Sequence, residues 1–505
     1  MNRNLWWATG IVRTLHRLGV ARFVLSPGSR SAPLALAVHG EGVPASVVLD
    51  ERAAAYMAVG HARATAAPAA VVTTSGTAVA NLLPAAVEAS ESGLPMVLLT
   101  ADRPTGLRGV GANQAIDQVG IFGRHVRSAV DLPLPQPGDR FGEKLVQELE
   151  RLLEEGLDGP VHLNVPFEEP LDARPVPEDE ALLRRTAAWR PPRRAEAVPR
   201  PLRLDALQGL PAARQPLVVV GPWRADEATL RAVRQLAEAL DAPLLADPLS
   251  GLRYGNPACV SAYDAFLRDP VLPAPDLVLR FGDAPTSKPL LRYLGALQAR
   301  HVVVGRARRH HGLPAAHVLD AQPLRVAETA ARLAQPAREG WRDEWLARDA
   351  SVRERLRPPA ATGGAVARAM HDALPAGATW WLGSSLPVRD ADLFVPASAK
   401  RLDAMGNRGA SGIDGVVAAA AGAACARPEA PAALLVGDLS LQHDVGSLAA
   451  VAEHAPHLAI VCVNNGGGQV FRHLDVARTT DAAAFRRLFE TPQRFDIAGA
   501  AAAFG

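Results

Sequence analysis

Short apolar runs and longer helical stretches alternate along the first third of the chain. The runs are Val20–Leu25, Ala45–Leu49, Ala69–Thr74 and Met96–Thr100, each closed by polar or turn-forming residues. Val161–Val165 reads as a later strand of the same sheet. Runs this short and this continuously apolar predict strands buried on both faces. Separated by helical patterns, they predict βαβ units around a parallel sheet.

Between Pro170 and Arg203 the texture changes, and prolines and charges crowd around Arg190–Arg194. That stretch predicts a linker. A second alternating section follows, with strands expected at Leu217–Val220, Pro243–Ala246, Leu277–Phe281 and His301–Val304. Ala225–Leu240 has the apolar spacing of an amphipathic helix. A second break spans Arg353–Gly364, with Pro358, Pro359 and paired glycines. Beyond it, strands are expected at Thr379–Leu382, Ala432–Val436 and Leu458–Val463. The expected fold class is α/β, with three consecutive α/β domains whose mainly parallel sheets are flanked by helices. Their expected extents are residues 1–180, 200–345 and 360–505.

Composition narrows the function classes. The chain has 505 residues, and domains run to about 100–200 residues each, which agrees with three cores. A net charge of +2 provides no basic field to recruit nucleic acid. Nowhere do about 18 uncharged apolar residues run together, so no membrane insertion is expected. Arg13, His16 and Arg17 interrupt the N-terminal apolar residues, which argues against a signal peptide. Cys259, Cys425 and Cys462 form no CxxC pair and no zinc set. Cys462, inside an apolar run, is expected to be a buried and inert thiol. A reducing cytoplasm is the expected compartment.

The strongest chemical signal lies in the third section. Val436-Gly437-Asp438-Leu439-Ser440 closes one expected strand, and Val463-Asn464-Asn465-Gly466-Gly467-Gly468 closes the next. Asp438 and Asn465 are 27 positions apart (465 − 438), which is one crossover helix plus a return strand. Both side chains should therefore emerge at the carboxyl ends of adjacent parallel strands, where α/β sheets bind ligands. An Asp carboxylate, an Asn amide oxygen and a free backbone carbonyl are hard donors suited to magnesium shared with phosphates. Three successive glycines let the backbone approach a diphosphate and aim a carbonyl at the metal. Taken singly, Asp438 could be a helix cap and Asn465 part of a turn.

The pair resembles the metal–diphosphate signature of thiamine diphosphate enzymes, except that Leu439 stands where a second glycine is usual. The resemblance implies thiamine diphosphate and Mg2+, with Mn2+ able to replace it, as cofactors. Asp438, Asn465 and Gly467 would hold the metal. Leu439, Ser440, Gly468 and Phe471 would adjoin the cofactor, although Phe471 could equally be core. Such enzymes also need a glutamate that binds the cofactor's aminopyrimidine ring nitrogen. Glu51, in Leu49-Asp50-Glu51-Arg52-Ala53-Ala54, fits this catalytic role; alone it would read as a first-turn acid complementing a helix dipole.

Further segments resemble one branch, the 2-succinyl-5-enolpyruvyl-6-hydroxy-3-cyclohexene-1-carboxylate synthases of menaquinone biosynthesis. They are Ser26–Ser31, Thr74–Asn81, Thr100–Pro104, Gly111–Ile116, Gly383–Arg389 and Asn407–Gly415. The likeness is dense in the first and third sections and thin in the middle one. It implies decarboxylation of 2-oxoglutarate and addition of the succinyl semialdehyde carbanion equivalent to isochorismate. Arg389 and Arg408, with Ser385, would hold the distal carboxylate of 2-oxoglutarate. Ser29, Arg30, Arg103, Asn113, Gln114 and Lys288 would surround isochorismate. Pro289 follows Lys288 where the family often has arginine. The resemblance also implies a homodimer, or a tetramer built from it, with sites at the subunit interface. It implies further elements after the Asn465 motif, so the third section is expected to be incomplete at Gly505. Two alternatives remain at this stage: another thiamine diphosphate-dependent 2-oxoacid decarboxylase or carboligase, and a catalytically silent homologue.

Overall fold

The structure is a computed structural model that describes residues 2–136, 141–183, 207, 209–269, 271–305, 312–314, 317–319 and 321–505. The Arg190–Arg194 part of the expected linker lies outside the described residues. Three sheets follow one another, and every strand pair in them is parallel.

The first sheet comprises β1 (Arg22–Leu25), β2 (Ala45–Val47), β3 (Ala69–Thr73), β4 (Met96–Asp102), β5 (Ala129–Asp131) and β6 (Pro160–Pro166), in the order β2-β1-β3-β4-β6-β5. Every residue of β3, β4 and β6 is buried, as the continuous apolar runs predict. The second sheet comprises β7 (Pro216–Val220), β8 (Leu244–Ala246), β9 (Leu277–Phe281), β10 (Arg300–Val304) and β11 (His317–Leu319), ordered β11-β10-β9-β7-β8. The third comprises β12 (Thr379–Leu382), β13 (Asp403–Met405), β14 (Ala432–Gly437) and β15 (Leu458–Val463), ordered β13-β12-β14-β15.

The expected elements shift at their ends for local reasons. β1 starts at Arg22 rather than Val20, because the Val20 N–H donates to the Leu15 carbonyl and closes the end of the preceding helix (3.0 Å). The helix expected over Ala225–Leu240 runs from Glu227 to Ala239, with Asp226 accepting from the Thr229 N–H at 2.8 Å. The helix Trp341–Arg355 crosses the expected boundary at 345 and places Trp341 and Trp345 in the central core. Cys462 is half-buried rather than buried, because β15 lies at an edge of its sheet.

The first and third sections share one hydrophobic core, in which Val71 and Leu98 join Leu434 and Val436. Two helices form the contact: Glu51–Thr65 and the alanine-rich Val416–Cys425. Their backbones lie so close that a Cβ on Gly60 would stand 1.8 Å from the Ala419 carbonyl oxygen. A Cβ on Gly422 would stand 2.0 Å from the Met57 carbonyl oxygen. The central section is joined to the third by a buried ion pair, Arg253 with Asp392 at 2.8 Å. Burial pushes the Asp392 carboxyl up, and the Arg253 guanidinium pulls it back down.

Candidate active site

β14 and β15 are adjacent and parallel, with Gly437 opposite Val463. The loops that follow them therefore leave the same edge of the sheet side by side. Asp438 opens the helix Asp438–His443, and its two carboxylate oxygens accept from the N–H groups of Leu439 and Gly467, each at 2.8 Å. One side chain thus ties the two strand-end loops together. Gly466 and Gly467 have φ of 81° and 118°, backbone that favours glycine. A Cβ on Gly467 would also stand 2.1 Å from the Glu490 carbonyl oxygen. Gly468 donates its N–H to that same carbonyl at 2.7 Å.

These loops fit a diphosphate and a hard cation. A Cβ on Gly437 or Gly466 would meet nothing within 4 Å, so the cradle is open. Asn465 is exposed beside it. Among the described residues, no group of three or more His, Cys, Asp or Glu side chains is placed to hold a metal. The donor set of Asp438, Asn465 and the Gly467 carbonyl has a single carboxylate, which suits magnesium completed by phosphate oxygens and water. Leu439 is half-buried, and Ser440 is buried with its hydroxyl donating to the Ile413 carbonyl at 2.7 Å. Phe471 is half-buried against Phe489, with ring centroids 5.8 Å apart. Burial and then the Asp438 charge push the Cys462 thiol up to about 11, which leaves it protonated.

Glu51 starts its helix just after Asp50, which caps it by accepting from the N–H groups of Arg52 and Ala53. The Glu51 carboxylate accepts from the Asn81 amide at 3.1 Å. Asn81, which closes the family-like segment Thr74–Asn81, thus orients the glutamate. Arg52 donates to the His443 carbonyl at 3.1 Å and pairs with buried Asp444 at 3.6 Å. The Glu51 helix is thereby fastened to the far end of the Asp438 helix. Among the described residues, no hydrogen bond or ion pair within the chain joins Glu51 to Asp438 or Asn465.

Two further groups of basic residues are expected in the site. Arg103 follows β4 and is buried, and its guanidinium donates to the Ser75 hydroxyl. Ser75 donates in turn to the Gln114 carbonyl at 3.0 Å, and the Gln114 amide returns to the Ser75 carbonyl at 3.0 Å. Arg30 donates to the Phe167 carbonyl at 2.9 Å. Burial, and after it the charge of Arg30, hold the Arg103 guanidinium below its ordinary pKa. Arg30, Arg103 and Gln114 thus share one place, and Ser75 joins them as a member that its sequence context does not mark. Ser29 and Asn113 are exposed. Lys288 is exposed at the start of the helix Lys288–Ala296, and among the described residues no hydrogen bond or ion pair joins it to the arginines.

The second pair is Arg389 and Arg408. Burial, then the like charge of Arg408, hold Arg389 below its ordinary pKa, against the pull of Asp390. Arg389 lies in the helix Leu386–Phe394, which Ser385 precedes with φ of 71°. Asn407, next to Arg408, is 2% exposed, and neither its amide nitrogen nor its amide oxygen has a hydrogen-bond partner. A buried amide left without partners is costly unless a ligand or water completes it. Asn407 opens a family-like segment, yet nothing in the sequence distinguishes its side chain from its neighbours. Glu88, a lone acid in the apolar stretch Leu83–Ala89, is equally unmarked; it reaches the Arg408 loop from the first section.

A separate crevice lies between the central and third sections. Its arginines are already paired: Arg401 with Glu227 at 2.7 Å, and Arg224 with Asp403 at 3.6 Å. It contains none of the predicted site residues.

Residues 5–121 match the N-terminal TPP binding domain of thiamine pyrophosphate enzymes, and residues 396–505 match the C-terminal TPP binding domain. A 2-succinyl-5-enolpyruvyl-6-hydroxy-3-cyclohexene-1-carboxylate synthase from Halobacterium salinarum is 40% identical, over 98% of this chain and 89% of that protein. Enzymes of the same name from Geobacillus kaustophilus and Chloroflexus aurantiacus are 40% and 42% identical, over 99% and 98% of this chain and 89% and 87% of those proteins.

Proposed function

The chain belongs to the 2-succinyl-5-enolpyruvyl-6-hydroxy-3-cyclohexene-1-carboxylate synthase family of thiamine diphosphate-dependent transferases, and on that premise we propose how its residues divide the reaction. The substrates are 2-oxoglutarate and isochorismate, and the step belongs to menaquinone biosynthesis. Thiamine diphosphate, when bound, would supply the electron sink for loss of carbon dioxide from 2-oxoglutarate. Asp438, Asn465 and the Gly467 carbonyl would hold Mg2+, or Mn2+ in its place. Leu439, Ser440, Gly468 and Phe471 would line the cofactor. Glu51 would make the catalytic proton contact to the aminopyrimidine ring, with its carboxylate oriented by Asn81.

The two arginine pairs divide the substrates between them. Arg389 and Arg408, with Ser385, take the distal carboxylate of 2-oxoglutarate. Arg30 and Arg103, with Ser29, Asn113, Gln114 and Lys288, take isochorismate. The observation that carries this reading is the placement of the basic groups: Arg103 and Gln114 share Ser75, and Arg408 adjoins buried Asn407, whose amide has no hydrogen-bond partner. A carboxylate bound between two guanidinium groups gains charge-assisted hydrogen bonds from both. Two such places suit two dicarboxylates, whereas a pyruvate carboligase needs no pair for a distal carboxylate.

Residues 1–180 bind the pyrimidine end, residues 360–505 bind the diphosphate and metal, and residues 200–345 form the central domain. The active unit is a homodimer, alone or within a tetramer, with Glu51 of one subunit facing Asp438 of the other. Val47 and Leu49, exposed just ahead of Glu51, support an interface there, at 62% and 82% exposure. No described helix is long and apolar enough to cross a membrane. Three unpaired cysteines suit a cytoplasmic location.

The test is carbon dioxide release from 2-oxoglutarate with thiamine diphosphate and magnesium, with and without isochorismate, with the product read by mass spectrometry. A succinyl–isochorismate adduct that disappears in Glu51→Gln is the expected result. Faster turnover of pyruvate than of 2-oxoglutarate would overturn the substrate assignment while leaving the cofactor assignment intact.

A further inference from the structure

We propose that Glu88 is a positioning residue for 2-oxoglutarate, acting through the backbone of Gly409–Ser411 to hold Arg408 in place; this rests on the reading of Arg408 as a ligand of the distal carboxylate. Glu88 lies on the helix Leu83–Ser92 of the first section and is 1% exposed. One of its carboxylate oxygens accepts from the Gly409 N–H at 2.8 Å. The other accepts from the N–H groups of Ala410 at 2.7 Å and Ser411 at 3.3 Å. Three successive N–H groups that converge on one anion form a nest, and Ser411 completes it with φ of 62°. Ser92 donates to the first oxygen at 2.8 Å, and Arg63 approaches it at 3.4 Å.

The loop is pressed flat on that helix. A Cβ on Gly409 would stand 2.5 Å from the Glu88 carbonyl oxygen, so residue 409 has no room to move toward it. Tyr56 donates to Asp414 at 2.8 Å and Ser440 to the Ile413 carbonyl at 2.7 Å, which pins the far end of the loop. The near end carries Arg408. A clamp on the peptide immediately after Arg408 restricts the backbone that bears it and leaves its guanidinium preorganised for a carboxylate.

The experiment is a double-mutant cycle on the holoenzyme with Glu88→Gln and Arg408→Ala. It reads KM and kcat for 2-oxoglutarate and KM for isochorismate. Glu88→Gln turns an amide nitrogen toward N–H donors and should raise KM for 2-oxoglutarate about ten-fold, with kcat within about three-fold. KM for isochorismate should stay unchanged. In the Arg408→Ala background, Glu88→Gln should add no further rise, because the group it positions is gone. Should Glu88→Gln fail to fold, Glu88→Asp takes its place in the same cycle with the same expected pattern. An equal effect in both backgrounds, or on both substrates, would make Glu88 merely structural and overturn the proposal. If Arg408→Ala raises KM and the Glu88 variant does not, the proposal alone fails. If Arg408→Ala leaves KM unchanged, the reading of Arg408 fails and takes the proposal with it.

Discussion

His162 shows how far burial alone sets the chemistry of a side chain here. It lies on β6, 1% exposed, with its Nε2 2.8 Å from the Thr100 hydroxyl and Phe122 edge-on at 4.8 Å. Burial pushes its pKa down to about 4. His61 and His301 are pushed down to about 4 as well, by burial and then by Arg22 and Arg280 respectively. All three would titrate near 6.5 when unfolded, so the unfolded chain takes up protons first as pH falls. The stability they contribute is complete above about pH 6.5 and is lost as pH falls through about 4. Each histidine can account for at most about 1.4 kcal/mol per pH unit in that window. Thermal melts between pH 7 and pH 4.5 should therefore show a falling Tm. His162→Gln should lower Tm at pH 7 yet flatten the acid slope; an unchanged slope would assign it to other groups. At this scale the sequence revealed residues whose position follows from a strand end, such as Arg103, Asp438 and Asn465. It hid Glu88 and Ser75, whose partners lie far away in sequence, and Asn407, whose buried amide has no hydrogen-bond partner in the chain. Glu88 and Gly409 are 321 positions apart, and no local pattern encodes that meeting.

Among the elements, legibility tracked burial. Strands β3, β4, β7, β9 and β14 were visible because burial on both faces demands continuous apolar runs. The strands not anticipated were β5, β11 and β13, each of three residues at a sheet edge. Ala129 and Asp131 of β5 are exposed, so nothing in their polarity separates them from loop. Helix pairing was equally hidden, since alanine and glycine report smallness but not a partner. Glycine substitutions test that crossing, because two helical glycines should respond with opposite signs. Gly422→Ala drives a methyl group into the Met57 carbonyl and should destabilise by about 1–3 kcal/mol. Gly40→Ala, in the helix Ala32–Glu41 with nothing within 4 Å of its added Cβ, should stabilise by about 0.5–1 kcal/mol. Denaturant unfolding of both variants checks the pair; stabilisation by Gly422→Ala would mean that the two helices are not in contact in solution.

In the whole molecule, the order of sections follows from the strand runs and the prolines between them, but their mutual packing does not. The structure joins the first and third sections in one core through the Gly60–Gly422 crossing. That crossing places the Glu51 helix against the far end of the Asp438 helix, through Arg52 and Asp444. Within one chain, among the described residues, no hydrogen bond or ion pair joins Glu51 to Asp438. In the proposed two-fold dimer, Glu51 of one subunit would instead face Asp438 of the other, and the symmetry would repeat the arrangement. Complementation separates the two possibilities. Glu51→Gln and Asp438→Ala should each be inactive as homodimers. Co-expressed, they form mixed dimers in which one site carries both lesions and the other carries none. If subunits pair at random, about half of the dimers are mixed, with one intact site each, so about a quarter of wild-type activity should return. A site built within one chain would leave a lesion in every site, and the mixture would be as inactive as its parents. Recovery that rises and falls with the fraction of mixed dimers, resolved by tag-selective purification, would tie catalysis to the subunit interface.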